Sequence, residues 1–196
     1  MSLSHSNNAV LLDPLRLANR SWLARVLFVL GGTMVLALAS RIAVPMVPVP
    51  ITMQTFAVTM IGVLYGWRLG ALTVLAWLGE AMVGLPVLAN GAGGIGHFMG
   101  PTAGYLASFP IIAALTGWLA ERGWTGDRYV LSFLAHFFAN MLCLAIGGAW
   151  LAVLIGGEKG WALGVAPFIL GGFLKSALAA VILMGLRIYG SKARLT

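Results

Sequence analysis

Acidic side chains are nearly missing from this sequence. Five Asp and Glu stand against twelve Lys and Arg, and charged residues make up only 9% of the 196. Soluble domains carry about one quarter. So few charges cannot coat a water-facing surface, which excludes an ordinary soluble domain and leaves a surface that meets something apolar. Cysteine is lacking too. A single Cys143 rules out a disulfide framework and a multi-cysteine metal site, and within its apolar run it reads as a small buried thiol. Also missing are a paired-carboxylate motif, a His-Glu-x-x-His run and a nucleotide P-loop. The chain is therefore not read as an enzyme, calls for no cofactor or metal, and has no recognisable means of hydrolysing ATP. The net charge of +7 would point to nucleic acid in a soluble protein. Here the basic residues mark loops between apolar runs, so the expected surroundings are a lipid bilayer and not nucleic acid.

Apolar residues supply 60% of the chain, and 26 glycines come on top of that. At about 20 residues per crossing, the length holds an all-α bundle of six transmembrane helices. Their expected positions are Trp22 to Val44, Gln54 to Tyr65, Leu69 to Val83, Thr102 to Ala120, Tyr129 to Ile155 and Val165 to Ile188. Prolines 45, 48 and 50 end the first, and Gly84-Leu85-Pro86 ends the third. Residues 156–164, with Glu158, Lys159 and Trp161, read as an amphipathic or loop segment. The expected layout is a polar cytoplasmic segment at 1–21, a six-helix domain at 22–190 and a basic tail at 191–196. No cleavable signal is read in the first segment, so the first helix is expected to direct insertion. With both termini in the cytoplasm, inner segments hold Arg16, Arg20, Arg25, Arg68, Arg122, Arg128, Arg187, Lys192 and Arg194. Outer segments hold only Arg41 and Lys159. That asymmetry is the positive-inside bias, and merging the second and third helices would scramble it.

Ionisable residues inside spans cost roughly 2.5–3.5 kcal/mol at a helix centre, which makes them functional candidates. Lys175 lies deepest, in the sixth helix, where its ammonium either holds a ligand carboxylate or carbonyl or joins an internal ion pair. Glu80, near the outer end of the third, either pairs with Lys175 or accepts from a ligand N–H. Gln54 and Thr55 open the second helix, with Thr52 as a candidate cap, and Gln54 either faces a cavity or supports the fold. His136 and Asn140, four apart, share one helix face and are expected to stitch helices more than to line a cavity. His97 reads as solvated. Trp77 and Tyr105 are suited to stacking on a flat ring, or to packing in the core. The outer loop Asn90-Gly91-Ala92-Gly93-Gly94-Ile95-Gly96 is glycine-rich enough for its backbone to lie against a ligand. Ala39 and Ala43 have small-xxx-small spacing for close helix contact.

Several longer stretches are more specific than any one of these residues. They are Pro48-Val-Pro-Ile-Thr-Met-Gln-Thr-Phe56, Gly84-Leu-Pro-Val-Leu-Ala-Asn-Gly91 and Gly100-Pro-Thr-Ala-Gly-Tyr105. Gly148-Ala-Trp-Leu-Ala152 and Pro167-Phe-Ile-Leu-Gly-Gly-Phe-Leu-Lys175 match more weakly. Through them, from the first helix to the end of the sixth, the chain resembles the BioY family, the biotin-specific substrate-binding (S) components of energy-coupling-factor (ECF) transporters. The resemblance implies biotin captured at the outer face and delivered across the bacterial inner membrane. It makes Asn90 and Lys175 ligand contacts under a lid that includes Gly91, Gly93 and Gly94. It also implies docking through Ala39 and Ala43 to an EcfT-like membrane coupling subunit, with partner ATPase subunits. Homo-oligomer formation and transport without those subunits stay open. Many family members carry Pro-Gly-Asp where this chain has Leu170-Gly171-Gly172, so an acid beside Lys175 is absent, and Glu80 is a candidate replacement. The rival readings are an S component for thiamine or riboflavin, a membrane enzyme using Glu80, His97 or His136, and a structural membrane subunit.

Overall fold

The computed structural model describes residues 21–126 and 128–192, with backbone only for 188–192. The expected N-terminal segment with Arg16 and Arg20, and the tail with Arg194 and the Lys192 side chain, lie outside the described residues. The chain is mostly helical: α1 Trp22–Arg41, α2 Gln54–Met82, α3 Ala103–Glu121, α4 Tyr129–Ile155, α5 Gly157–Gly164 and α6 Ala166–Lys192. A two-residue pair, β1 Ala43–Val44 and β2 Ile51–Thr52, sits between α1 and α2. Among the described residues, five helical stretches are long and apolar enough to cross a membrane, α5 and α6 counting as one. Large side chains such as Leu27, Met34, Leu38, Val153 and Leu170 point outward, as a lipid-facing surface requires.

The second stretch is two arms. Gly66 has φ 78° and ψ 166°, which breaks the helix into 54–65 and 67–82. A Cβ placed on Gly70 would lie 2.9 Å from the Gly62 Cα, whereas eight residues of continuous helix rise about 12 Å. The chain therefore reverses at Gly66, and the second and third expected helices are separate arms of one hairpin. That hairpin is held against α3 by glycine. A Cβ on Gly62 would run into Ala113 O, and one on Gly117 would come 2.5 Å from Trp67 N. Backbones approach this closely only without side chains, and in lipid such contact is the main source of helix association. The Thr116 hydroxyl lies in the same seam, 2.9 Å from Ile112 O on its own helix and 3.2 Å from Thr59 O across it.

The first helix is shorter than the sequence suggests. It stops at Arg41, and residues 43–44 pair antiparallel with 51–52, Ala43 opposite Thr52. Residues 43–52 thus form a hairpin folded back on the bundle. The 156–164 segment is helical. Ring contact between Phe28 and Tyr65, the Trp67 N–H bond to Glu121 Oε1, and the closeness of Gly126 to Arg187 bring the start of α1, the Gly66 turn, the α3–α4 connection and the end of α6 to one end of the bundle. Arg25, Arg68, Arg122, Arg128 and Arg187 lie at that end. The hairpin 43–52, the loop 83–102 and the α4–α5 junction lie at the other, with Arg41 and Lys159.

Candidate ligand-binding site

A cavity of about 300 Å³ opens beneath the hairpin and the 83–102 loop. Its roof is Pro48, Val49, Pro50, Leu88, Ala89, Asn90 and Ala92. Its walls are apolar, with Tyr105, Leu106 and Phe109 from α3, Cys143 and Leu144 from α4, and Phe168 from α6. Polar atoms enter at few places: Thr52, Gln54 and Thr55 at the start of α2, Asn140, Lys175, and His97 with Thr102 at the edge. Among the described residues no acidic side chain lines it, and Lys175 is its one aliphatic cation. Mostly apolar lining with a few placed polar groups is the usual make-up of a small-molecule site.

Lys175 stands where the sequence predicts. Its ammonium donates to Thr55 Oγ1 at 3.2 Å, a neutral partner on the opposite wall. Gln54 also lines the cavity, but its amide is committed: Nε2 donates to Ser40 Oγ at 3.1 Å and Oε1 accepts from Thr52 Oγ1 at 3.0 Å. It therefore ties the end of α1 to the start of α2. Tyr105 gives its ring to the wall, stacked on Phe168 with centroids 6.4 Å apart, and its hydroxyl to Gly164 O at 2.8 Å. Asn90 reaches the cavity from a left-handed backbone, φ 56°. That geometry is unusual for a residue with a side chain, and Asn90 is exposed at the rim of the cavity.

Other predicted residues fall elsewhere. Trp77 is fully buried, donates to Val87 O at 3.1 Å and stacks on Phe109. It backs the wall and does not touch the cavity. Glu80 does not line the cavity, so it does not replace the missing acid beside Lys175. Gly91, Gly93 and Gly94 are not lining residues either. A Cβ on Gly93 would run into Leu85 O, and one on Gly91 would meet the Arg41 guanidinium. Those glycines let the lid pack on its own chain and on Arg41, which donates to Pro86 O at 2.8 Å. Ala39 and Ala43 do not form a helical strip: α1 ends between them, Ala39 packs on the core and Ala43 belongs to β1.

Sequence reasoning missed Thr55 as the partner of Lys175 and Arg41 as the tie of the lid, and it ranked Asn140 as a stitch ahead of a cavity residue, whereas the structure makes it both. The i, i+4 pairing of Asn140 with His136 was the available signal. His136 itself is buried one turn away and does not line the cavity.

Comparison with known proteins gives one answer throughout. A family model, the BioY family, matches residues 10–191. The biotin transporter BioY of Rhizobium etli is 39% identical over 154 residues, covering 75% of this chain and 82% of that protein. The biotin transporter BioY of Rhodobacter capsulatus is 37% identical over 157 residues, 73% of this chain and 80% of that one. The solved S-component for biotin from an ECF-type ABC transporter superposes with a TM-score of 0.74 at 26% identity, over 84% of this chain and 91% of its own.

Proposed function

The chain belongs to the BioY family, multi-pass membrane transport proteins and not enzymes, and on that premise we propose that it captures biotin at the outer face of the bacterial inner membrane. The observation that carries this reading is the small apolar cavity lined by Lys175 and bordered by Asn90, beneath two loops at one end of the bundle. Biotin has an apolar tail, a fused ring with urea N–H and C=O groups, and a carboxylate. Its tail fits the wall of Leu106, Phe109, Leu144 and Phe168. Lys175 supplies a charged donor, and the Asn90 amide can donate and accept. A dry site makes each such bond stronger than it would be in water.

The reading takes six crossings with both termini inside, and two observations support it. The reversal at Gly66 makes α2 a hairpin, and Arg25, Arg68, Arg122, Arg128 and Arg187 gather at the end away from the cavity, which the positive-inside rule assigns to the cytoplasm. The membrane coupling subunit and ATPases of ECF systems are the proposed partners for release to the inside, since no nucleotide site is read in this chain. The outward apolar side chains of α1 supply surface for such contact.

The test is equilibrium titration of the detergent-purified full chain with biotin, thiamine and riboflavin. Saturable binding of biotin alone supports the reading. Binding of another vitamin in preference to biotin overturns the cargo, and binding of none overturns capture.

A further inference from the structure

The amide of Asn140 has one atom that the bundle does not use. Its nitrogen donates to His136 O at 2.9 Å and to Ser176 Oγ at 3.2 Å. A main-chain carbonyl only accepts, so the atom facing it must be the nitrogen. Ser176 spends its own proton on Gly172 O at 2.7 Å, so towards Asn140 it acts as acceptor. Both amide protons are thereby used and the amide cannot be turned over. Its Oδ1 is left with no donor among the described residues, on a residue that lines the cavity.

Gly172 keeps that amide uncovered. A Cβ there would lie 3.5 Å from Asn140 Cβ and 3.9 Å from Cγ, so a longer side chain would lie across it. Lys175, three residues further along the same face of α6, lines the same cavity. One wall thus presents an acceptor locked by a hydrogen-bond network and, close by, a charged donor on a flexible stem.

We propose that Asn140 is a ligand-contact residue. Its Oδ1 accepts an N–H of the captured molecule while Lys175 donates to the adjoining carbonyl. The cavity thereby selects a ligand with N–H and C=O on one edge, a cyclic urea or a lactam. This rests on the biotin reading above, because the fused ring of biotin carries such an edge. Gly172 sets the specificity by leaving the acceptor open, and Ser176 and the His136 carbonyl position it.

The test is calorimetry of the full chain in detergent with biotin and with biotin methylated on either urea nitrogen. Asn140→Leu is expected to weaken biotin at least tenfold, about the worth of one buried hydrogen bond. Gly172→Val, which keeps the Asn140 network, is expected to do the same by covering it. At least one methylated biotin should bind the native chain tenfold more weakly than biotin, and that penalty should shrink in Asn140→Ala. If Asn140→Leu does not fold, Gly172→Val and the methylated ligands decide. Native-like biotin binding by Gly172→Val, or a methylation penalty unaltered by Asn140→Ala, overturns the inference while leaving biotin capture standing. Failure of the native chain to bind biotin removes both.

Discussion

Replacing Lys175 with methionine separates a functional ammonium from a structural one, because the two roles have opposite signs in stability. The side chain is half-buried among apolar walls, and its one hydrogen-bond partner among the described residues is neutral, Thr55 Oγ1 at 3.2 Å. A charge so placed is desolvated without an opposing charge, a cost that a methionine of similar length would not bear. Lys175→Met should therefore leave the thermal midpoint of the ligand-free protein unchanged or raised. Binding should go the other way. A hydrogen bond from a charged donor contributes about 1.5–3 kcal/mol, which corresponds to roughly a ten- to hundredfold loss in biotin affinity.

Both arms can be read in one thermal-shift series with calorimetry beside it. With biotin at 100 times the native Kd, linkage stabilises the native chain by about 2.7 kcal/mol. If the variant binds a hundredfold more weakly, the same biotin gives only about 0.4 kcal/mol. The biotin-induced rise in midpoint should nearly vanish while the unliganded midpoint holds. Thr55→Val is the control: it removes the resting partner of the ammonium and keeps the charge, so biotin affinity should stay within about threefold of native. Native affinity in Lys175→Met would refute the argument for the ammonium. A sharp fall in its unliganded midpoint would show instead that Lys175 holds the bundle together.

Arg41→Ala cuts the bond to Pro86 O and removes the guanidinium packed on Gly91, so biotin should dissociate several-fold faster in stopped-flow chase experiments, with little change in thermal midpoint. Gly62→Leu drives a side chain into Ala113 O and Thr116 Oγ1. Misfits of this kind belong to the severe class of substitutions, and the expected result is loss of monodisperse protein on size exclusion; normal elution would contradict the close seam. Glu80→Gln should leave biotin affinity within about twofold by calorimetry, since Glu80 lies off the cavity.

What the sequence shows of this fold is whatever depends on neighbouring residues. The limits of α4, Tyr129 and Ile155, are as expected, because a long apolar run is bounded by charge on one side and glycine on the other. The break at Gly66 was legible for a different reason: only a reversal there keeps Arg68 on the same side as Arg122 and Arg187. Lys175 was legible by cost alone. The rest depends on which chains meet, and composition does not record that. A glycine-rich loop signals close backbone approach without saying to what. Gly93 approaches Leu85 O and Gly91 approaches Arg41, so both serve the lid's own packing. Ala39 and Ala43 have the right spacing, but their helix ends between them, because the pairing of residues 43–44 with 51–52 takes that backbone. Trp77 has the chemistry of a stacking platform, yet Phe109 stands in front of it.

A sorting of polar atoms explains why the cavity is where it is. In an apolar bundle each hydroxyl needs a partner, and helices offer one close at hand: the carbonyl three or four residues back. Ser40, Thr33, Thr59, Thr73, Ser108 and Ser176 all donate to such carbonyls, so they add little polarity to the interior and carry no function by being buried. An ammonium on a four-carbon stem and the oxygen of a carboxamide have no equivalent local solution. Lys175 has to reach across to Thr55, and Asn140 spends its nitrogen locally while its oxygen is left over. Both residues line the same cavity. Two groups that local geometry leaves unsatisfied thus stand at one place under the lid, where a ligand with matching polar atoms supplies what the helices do not, whereas Ser132 Oγ and the His136 ring nitrogens, also buried without a partner among the described residues, lie off the cavity.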